Sequence, residues 1–201
     1  MSTISIIGSG GMAAAIGGLA VKAGHTVEVT SRDATEGPGA GRAARSWRDD
    51  GDVRCPPGTA VLDVVEQYGG KLAGKLLVDI TNPIKSDFTG FLTPEDSLGA
   101  QEIAKVAPAD ADIVKAFNTL PSHALAVGSV DGHPLDVFLA GDDAQAKARV
   151  SAFIVSLGLR PMDTGALFMA RMLEHACMLW LGLMTHSVKH ANFSLGVSLP
   201  G

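Results

Sequence analysis

Cysteine, tyrosine and charge are all scarce in this chain. Of its 201 residues, two are Cys, one is Tyr, and aromatic residues make up 5%. Cys55 and Cys177 lie far apart and no CxxC pair exists. That pattern argues against a disulfide framework or a thiolate metal site and fits a reducing compartment. Charged residues make up 18%, and the net charge is −5. A weakly acidic chain gives no electrostatic case for nucleic acid or an anionic membrane surface. No Lys or Arg precedes Lys22, so the apolar N-terminus lacks the positive region of a signal peptide. The apolar stretch near the other end, ALFMARMLEHACMLWLGLMTHSV, is interrupted by Arg171, Glu174 and His175. Its uncharged part is too short to span a bilayer, so it reads as a buried helix or a subunit contact. The expectation is a cytoplasmic protein with no membrane segment and no metal.

Hydrophobic residues reach 46% and glycine reaches 24 residues, enough apolar content for a sizeable core in one domain or one domain with an appendage. Thr3 to Ile7 reads as a strand, Gly11 to Ala23 as a helix ended by Gly24, and Thr26 to Thr30 as a second strand. Further strands are expected at Leu76 to Ile80, Asp112 to Phe117, Pro134 to Ala140 and Leu159 to Met162. Helices are expected at Val61 to Gly69, Ser97 to Val106 and Asp142 to Leu157, with a long one from near Ala166. Strands alternating with helices imply βαβ units, and continuous apolar strands imply a sheet covered on both faces. The expected fold is α/β, a Rossmann-like doubly wound parallel sheet over residues 1–163 with a C-terminal helical extension over 164–201.

The string GSGGMA, Gly8 to Ala13, is a GxGxxA pattern directly after a strand and directly before a helix. Gly8 permits the tight turn out of the strand, Gly10 lets backbone amides approach a pyrophosphate, and Ala13 allows close helix–strand packing. A pyrophosphate would then sit at the helix N-terminus, where free N–H groups and the dipole favour an anion. The second strand ends in Thr30-Ser31-Arg32 rather than in the acid that accepts from a ribose 2′-hydroxyl. Hydroxyls and a guanidinium suit a 2′-phosphate instead, which makes this an NADP pocket. The alternative for Arg32 is a solvated surface charge, and the neighbouring Asp33 is a counter-signal.

Taken together, "GSGGMAAAIGGLAVKAGHTVEVTSRD", "VDITNPI", "VKAFNTLPS", "FLAGDDAQAKARV" and "GLRPMDTGALFMARMLE" resemble the NADPH-dependent coenzyme F420 reductases. The reductase domain of the STEAP metalloreductases is a more distant relative of the same kind. The resemblance implies a Rossmann domain, often a homodimer, with NADP held by Gly8, Ser9, Gly10, Gly11, Met12, Ser31 and Arg32. It also implies that Asn82, Pro83 and Ile84 lie beside the nicotinamide ribose and ring, and that Asn118 and Thr119 face the same cleft. A deazaflavin, coenzyme F420, or a flavin would accept the hydride there. The positions agree with the rule that ligands of open α/β sheets bind beyond the carboxyl ends of strands. Asn82 before Pro83 is also ordinary turn chemistry. Hydride transfer between two bound cofactors needs positioning rather than a protein nucleophile, so no catalytic residue is assigned.

Other features admit plainer readings. Lys115, inside a strand, could be an acid or base, or a surface or salt-bridge residue. His123 follows Asn118 on the same loop, and His186 and His190 are four apart without a nearby Glu to complete a metal motif. The segment Ala34 to Thr59 departs from the family pattern, having no convincing helix and strand beyond a short helix around Arg42 to Arg48. Either the sheet lacks a strand here or the Arg-, Gly- and Pro-rich segment is an out-of-frame stretch, and it is expected to be poorly ordered or unusually placed. A non-catalytic NADP-binding sensor or partner module is the rival reading. A small imine or ketone reductase is another, since GSGGMAAAIGGL also resembles the start of pyrroline-5-carboxylate reductases.

Overall fold

The computed structural model describes residues 1–8, 10–30, 59–93, 97, 99–130 and 132–198. The chain opens with β1 (Thr3–Ile7), α1 (Gly11–Lys22) and β2 (Thr26–Thr30), as the sequence predicts. β1 and β2 pair in parallel, from Thr3 opposite Thr26 to Ile7 opposite Thr30. The end of α1 shows why Gly24 stands there. Its φ is 81°, its N–H donates to Val21 O at 3.0 Å, and the His25 N–H donates to Ala20 O at 2.9 Å. Those paired bonds form a Schellman cap, which needs a left-handed residue after the helix. α1 sits close on the two strands because Gly17 carries no side chain: a Cβ there would meet Ile6 Cδ1 at 3.3 Å.

After the segment outside the described residues come α2 (Thr59–Tyr68), β3 (Leu76–Asp79), α3 (Gly99–Val106) and β4 (Asp112–Ala116). The chain then forms α4 (Ser122–Val127) and a small hairpin of β5 (Ser129–Val130) and β6 (His133–Pro134). Next follow β7 (Asp136–Gly141), α5 (Ala144–Ser156) and β8 (Arg160–Asp163). Asp143 caps α5 by accepting the Ala146 N–H at 2.6 Å, which satisfies one of the helix's free donors. The expected single strand Pro134 to Ala140 is divided at Leu135, so that Pro134 closes the hairpin and β7 begins at Asp136.

The second sheet has the order β3-β4-β7-β8. Its β3–β4 and β7–β8 pairings are parallel, while β4 and β7 run antiparallel, with Val114 opposite Gly141 and Ala116 opposite Leu139. Between β4 and β7 the chain forms α4 and the β5–β6 hairpin and re-enters the sheet from the end at which β4 left it. The α/β, Rossmann-like character expected from the sequence is borne out, with two departures from a single parallel sheet: the reversed β4–β7 pairing, and β1–β2 forming a sheet apart from β3-β4-β7-β8 among the described residues.

Successive residues of β4 face two different cores. Val114 and Ala116 join Val137 and Leu139 of β7 under α1, α4 and α5, a cluster that also contains Ala15, Ile16, Leu125 and Ile154. Ile113 faces α2 and α3, with Val65, Ala100, Ile103, Leu167 and Ala170. α1 and α4 pack into the same core as β4, which joins the β1–β2 pair to the larger sheet. The C-terminal helical run begins as a 3₁₀ turn, Leu167–Met169, continues as α6 (Ala170–Gly182) and ends in a π-helical turn, Leu183–Val188. By length and composition this 22-residue run is apolar enough to cross a membrane. It rests on the sheet through Ala170, Leu173, Glu174 and Trp180, all buried.

Candidate functional site

The glycine loop has the geometry of an anion cradle. Gly8 takes φ 125°, which disfavours any side chain, and its N–H donates to Thr30 O at 2.8 Å, binding the end of β1 to the end of β2. Gly10 is the N-cap of α1, in extended conformation, with no side-chain cap and no acid in the first turn. Among the described residues, a Cβ placed on Gly8 or on Gly10 would meet nothing within 4 Å. Neither glycine is packed against a described residue, which leaves room among them before the twelve-residue α1. Uncapped N–H groups, the positive end of the helix dipole and free space suit a pyrophosphate. Gly11 and Met12 form the first turn and are half-buried. Ser9, Ser31 and Arg32 lie outside the described residues, as does the segment 34–58 with its expected short helix around Arg42 to Arg48.

The ends of β3 and β4 form a second centre, fixed by reciprocal amide bonds. Asn82 Nδ2 donates to Asn118 O at 2.8 Å, and Asn118 Nδ2 donates to Asn82 Oδ1 at 2.9 Å. The same Asn118 Nδ2 also donates to Leu173 O of α6 at 3.0 Å. Pro83 is buried and its carbonyl accepts from Leu92 N at 2.6 Å, while Ile84 N donates to Asn82 O at 2.8 Å. Just before Asn118, Phe117 is 1% exposed and takes φ 63°. A bulky residue in the left-handed region stores backbone strain, and such strain concentrates at functional sites. Asn118 Oδ1 and Thr119 Oγ1 are buried and have no hydrogen-bond partner among the described residues.

Directly below this pair lies a buried charge cluster. Lys115, fully buried in β4, sits opposite Asp79 of β3 in the strand register. Its Nζ donates to Asp79 Oδ2 at 2.8 Å, to Thr81 O at 2.6 Å and to Glu174 Oε1 at 3.0 Å. Those three acceptors use all three ammonium donors. Burial alone would depress the Lys115 pKa, but the charges of Asp79 and Glu174 outweigh it and hold the pKa above the ordinary lysine value. Glu174 is pushed up by burial, which Lys115 and the Gly99 N–H offset only in part. Asp79 Oδ1 accepts from both the Thr81 N–H at 2.9 Å and the Thr81 hydroxyl at 2.8 Å.

The structure therefore brings Asn82, Pro83, Asn118 and Thr119 together at one edge of the sheet, with Ile84 continuing the same loop into a bridge with Phe91. Lys115 resolves as a buried ion-pair residue. His123 is exposed, its Nε2 2.8 Å from Ala191 O of the C-terminal tail. Among the described residues no group of three His, Cys, Asp or Glu is placed to hold a metal. Asp79 and Glu174 were missed by sequence reasoning. The only available signal was an acid inside the apolar strand LLVDI and another inside the apolar helix ARMLEHACMLW, both costly to bury unless paired.

No protein-family model matches the chain. It is 32% identical to the metalloreductase STEAP3 of Rattus norvegicus over 179 residues, covering 85% of this chain and 35% of that protein. The chain thus spans about a third of the length of that curated relative. A solved structure from Arthrobacter sp. FB24, provisionally described as an F420-dependent NADP-reductase, matches with TM-score 0.74 and 23% identity over 97% of this chain and 98% of that one. Plasmodium falciparum pyrroline carboxylate reductase with NADP bound matches with TM-score 0.51 and 10% identity, over 95% of this chain and 82% of that one. The resemblance read from the motifs is borne out, and the chain has the Rossmann-like fold of NADP-dependent reductases.

Proposed function

We propose that this chain is an NADPH-dependent oxidoreductase that passes a hydride between NADPH and a deazaflavin, coenzyme F420, or a flavin. The observation that carries the reading is the N-terminus of α1 behind Gly8 and Gly10, uncapped and clear of side chains among the described residues. Gly8, Ser9, Gly10, Gly11 and Met12 would hold the pyrophosphate through backbone N–H groups, and Ser31 with Arg32 the 2′-phosphate. Asn82, Pro83, Ile84, Asn118 and Thr119 would border the nicotinamide half. Bound NADPH supplies the hydride; the protein's part is to orient the ring and keep water from it. The sequence resemblance and the Arthrobacter structure support F420 as acceptor, and the STEAP3 similarity supports a redox role. We further propose a cytoplasmic homodimer, with residues 1–163 as the NADP-binding domain and 164–201 as the contact. Exposed Phe168, Met172 and Leu179 on the C-terminal helical run support that contact.

The test is equilibrium binding of NADPH and NADH to the wild type and to Arg32→Ala. Wild type should prefer NADPH, and loss of a bidentate charged contact should cost roughly 1.5–3 kcal/mol, or about ten- to a hundredfold in affinity. Equal affinity of the wild type for both dinucleotides defeats the phosphate pocket. Tight NADPH binding without turnover on any acceptor would favour a non-catalytic binding module.

A further inference from the structure

We infer that Lys115 is a positioning residue: its buried ammonium, with Asp79, fixes the loop Thr81–Ile84 in the shape that receives the nicotinamide half of the dinucleotide. The inference rests on the proposed function. Lys115 cannot touch a ligand itself, because it is fully buried and its three donors are spent on Asp79, Glu174 and the Thr81 carbonyl. Two of those contacts shape the loop. Asp79 divides its oxygens between two tasks, Oδ2 taking the ammonium and Oδ1 taking the Thr81 N–H and hydroxyl. Thr81 is thereby held through the peptide units on both of its sides, its N–H by Asp79 and its carbonyl by Lys115.

The next residue inherits that orientation. Asn82 follows directly, and its side chain meets Asn118 in two reciprocal bonds. Pro83 and Ile84 are then fixed by the bonds Leu92 N to Pro83 O and Ile84 N to Asn82 O. The third partner, Glu174, is one residue from Leu173, whose carbonyl accepts from Asn118. Two consecutive α6 residues therefore grip β4 at Lys115 and the residue after Phe117, so α6 seats the same edge that the loop completes. An apolar side chain could fill the space of Lys115, but it could not select the orientation of the Thr81 carbonyl. Apolar side chains of similar volume can match a buried ion pair in stability, so what the pair adds at this site is the fixed orientation of the loop.

The experiment measures, on the full chain by calorimetry, the affinities of NADPH and of adenosine 2′,5′-bisphosphate, which lacks the nicotinamide half. The proteins are wild type, Lys115→Met and Thr81→Val. Wild type should bind NADPH tighter than the bisphosphate. Lys115→Met should lose about tenfold or more of the NADPH affinity and leave the bisphosphate affinity unchanged. Thr81→Val, which removes only one bond to Asp79, should shift the same ratio in the same direction by less. A role confined to general stability would weaken both ligands together or neither, and either result overturns the inference. Should Lys115→Met fail to fold, Thr81→Val decides alone: a changed ratio supports the inference and an unchanged one overturns it. Wild type binding the two ligands equally also overturns it while leaving the phosphate pocket intact. Wild type binding neither refutes the dinucleotide reading and the inference with it.

Discussion

Single residues separate folding from binding in this protein. At Gly10 a methyl group would meet no atom of the described residues within 4 Å, and the backbone is not left-handed. Gly10→Ala should therefore leave the melting temperature nearly unchanged, yet weaken NADPH because the methyl occupies the space a pyrophosphate needs. Calorimetric melting beside a binding titration checks both halves. Gly141 is the opposite case. A Cβ there would meet Val114 Cγ2 at 3.0 Å and Ile113 O at 3.1 Å. Gly141→Ala should destabilise by about 1–3 kcal/mol through overpacking, read as a lower denaturant midpoint. Lys115→Met strands two buried carboxylates. A loss of about 3–5 kcal/mol is expected, as for removing one partner of a buried pair.

Elements add a pH dependence at the C-terminal tail. Past α6 the tail folds back: Trp180 stacks on Phe193 with ring centroids 5.0 Å apart and donates to Phe193 O at 3.1 Å. Val197 N donates to Asp136 Oδ2 at 2.7 Å, and Arg160 bonds both Asp136 and the Val197 carbonyl. Burial pushes the Asp136 carboxyl up, but the bonds from Arg160 and Val197 and the guanidinium charge outweigh it. Its pKa therefore lies below the ordinary 3.8. A depressed folded-state pKa contributes stability that is present above the unfolded value and lost as pH falls through the folded one. The tail should stay seated at neutral pH and loosen only below pH 3.8. The protection factor of the Val197 amide against hydrogen exchange should fall there, and Asp136→Asn should lower it already at neutral pH.

The same scale shows what could be read in advance. The glycine loop and the Schellman end of α1 are local chemistry, set within a few residues, and both were legible. The antiparallel β4–β7 pairing was not, because the composition of an apolar strand does not set the direction in which it enters the sheet. Nor was the Lys115 cluster. Its partners lie 36 and 59 residues away, and only the β3–β4 register and the seating of α6 bring them together.

At the scale of the whole molecule, two sheets share one core through α1 and α4, and the proposed dinucleotide crosses between them. Its pyrophosphate would lie at the β1–β2 end, and its nicotinamide at the β3–β4 end, with α6 behind the latter. Such an arrangement makes α6 indispensable, since it supplies Glu174 and the Leu173 carbonyl. Truncation after Gly165 should give insoluble or monomeric protein, because it removes the cover of Lys115 and the exposed stripe of Phe168, Met172 and Leu179 together. A soluble truncated dimer by light scattering would count against both roles. The most direct test of the account is NADPH oxidation by the purified protein, with coenzyme F420 and then FMN as acceptor and NADH as the control donor. The account predicts acceptor-dependent turnover with NADPH well above that with NADH; no NADPH binding and no turnover with either acceptor would contradict it.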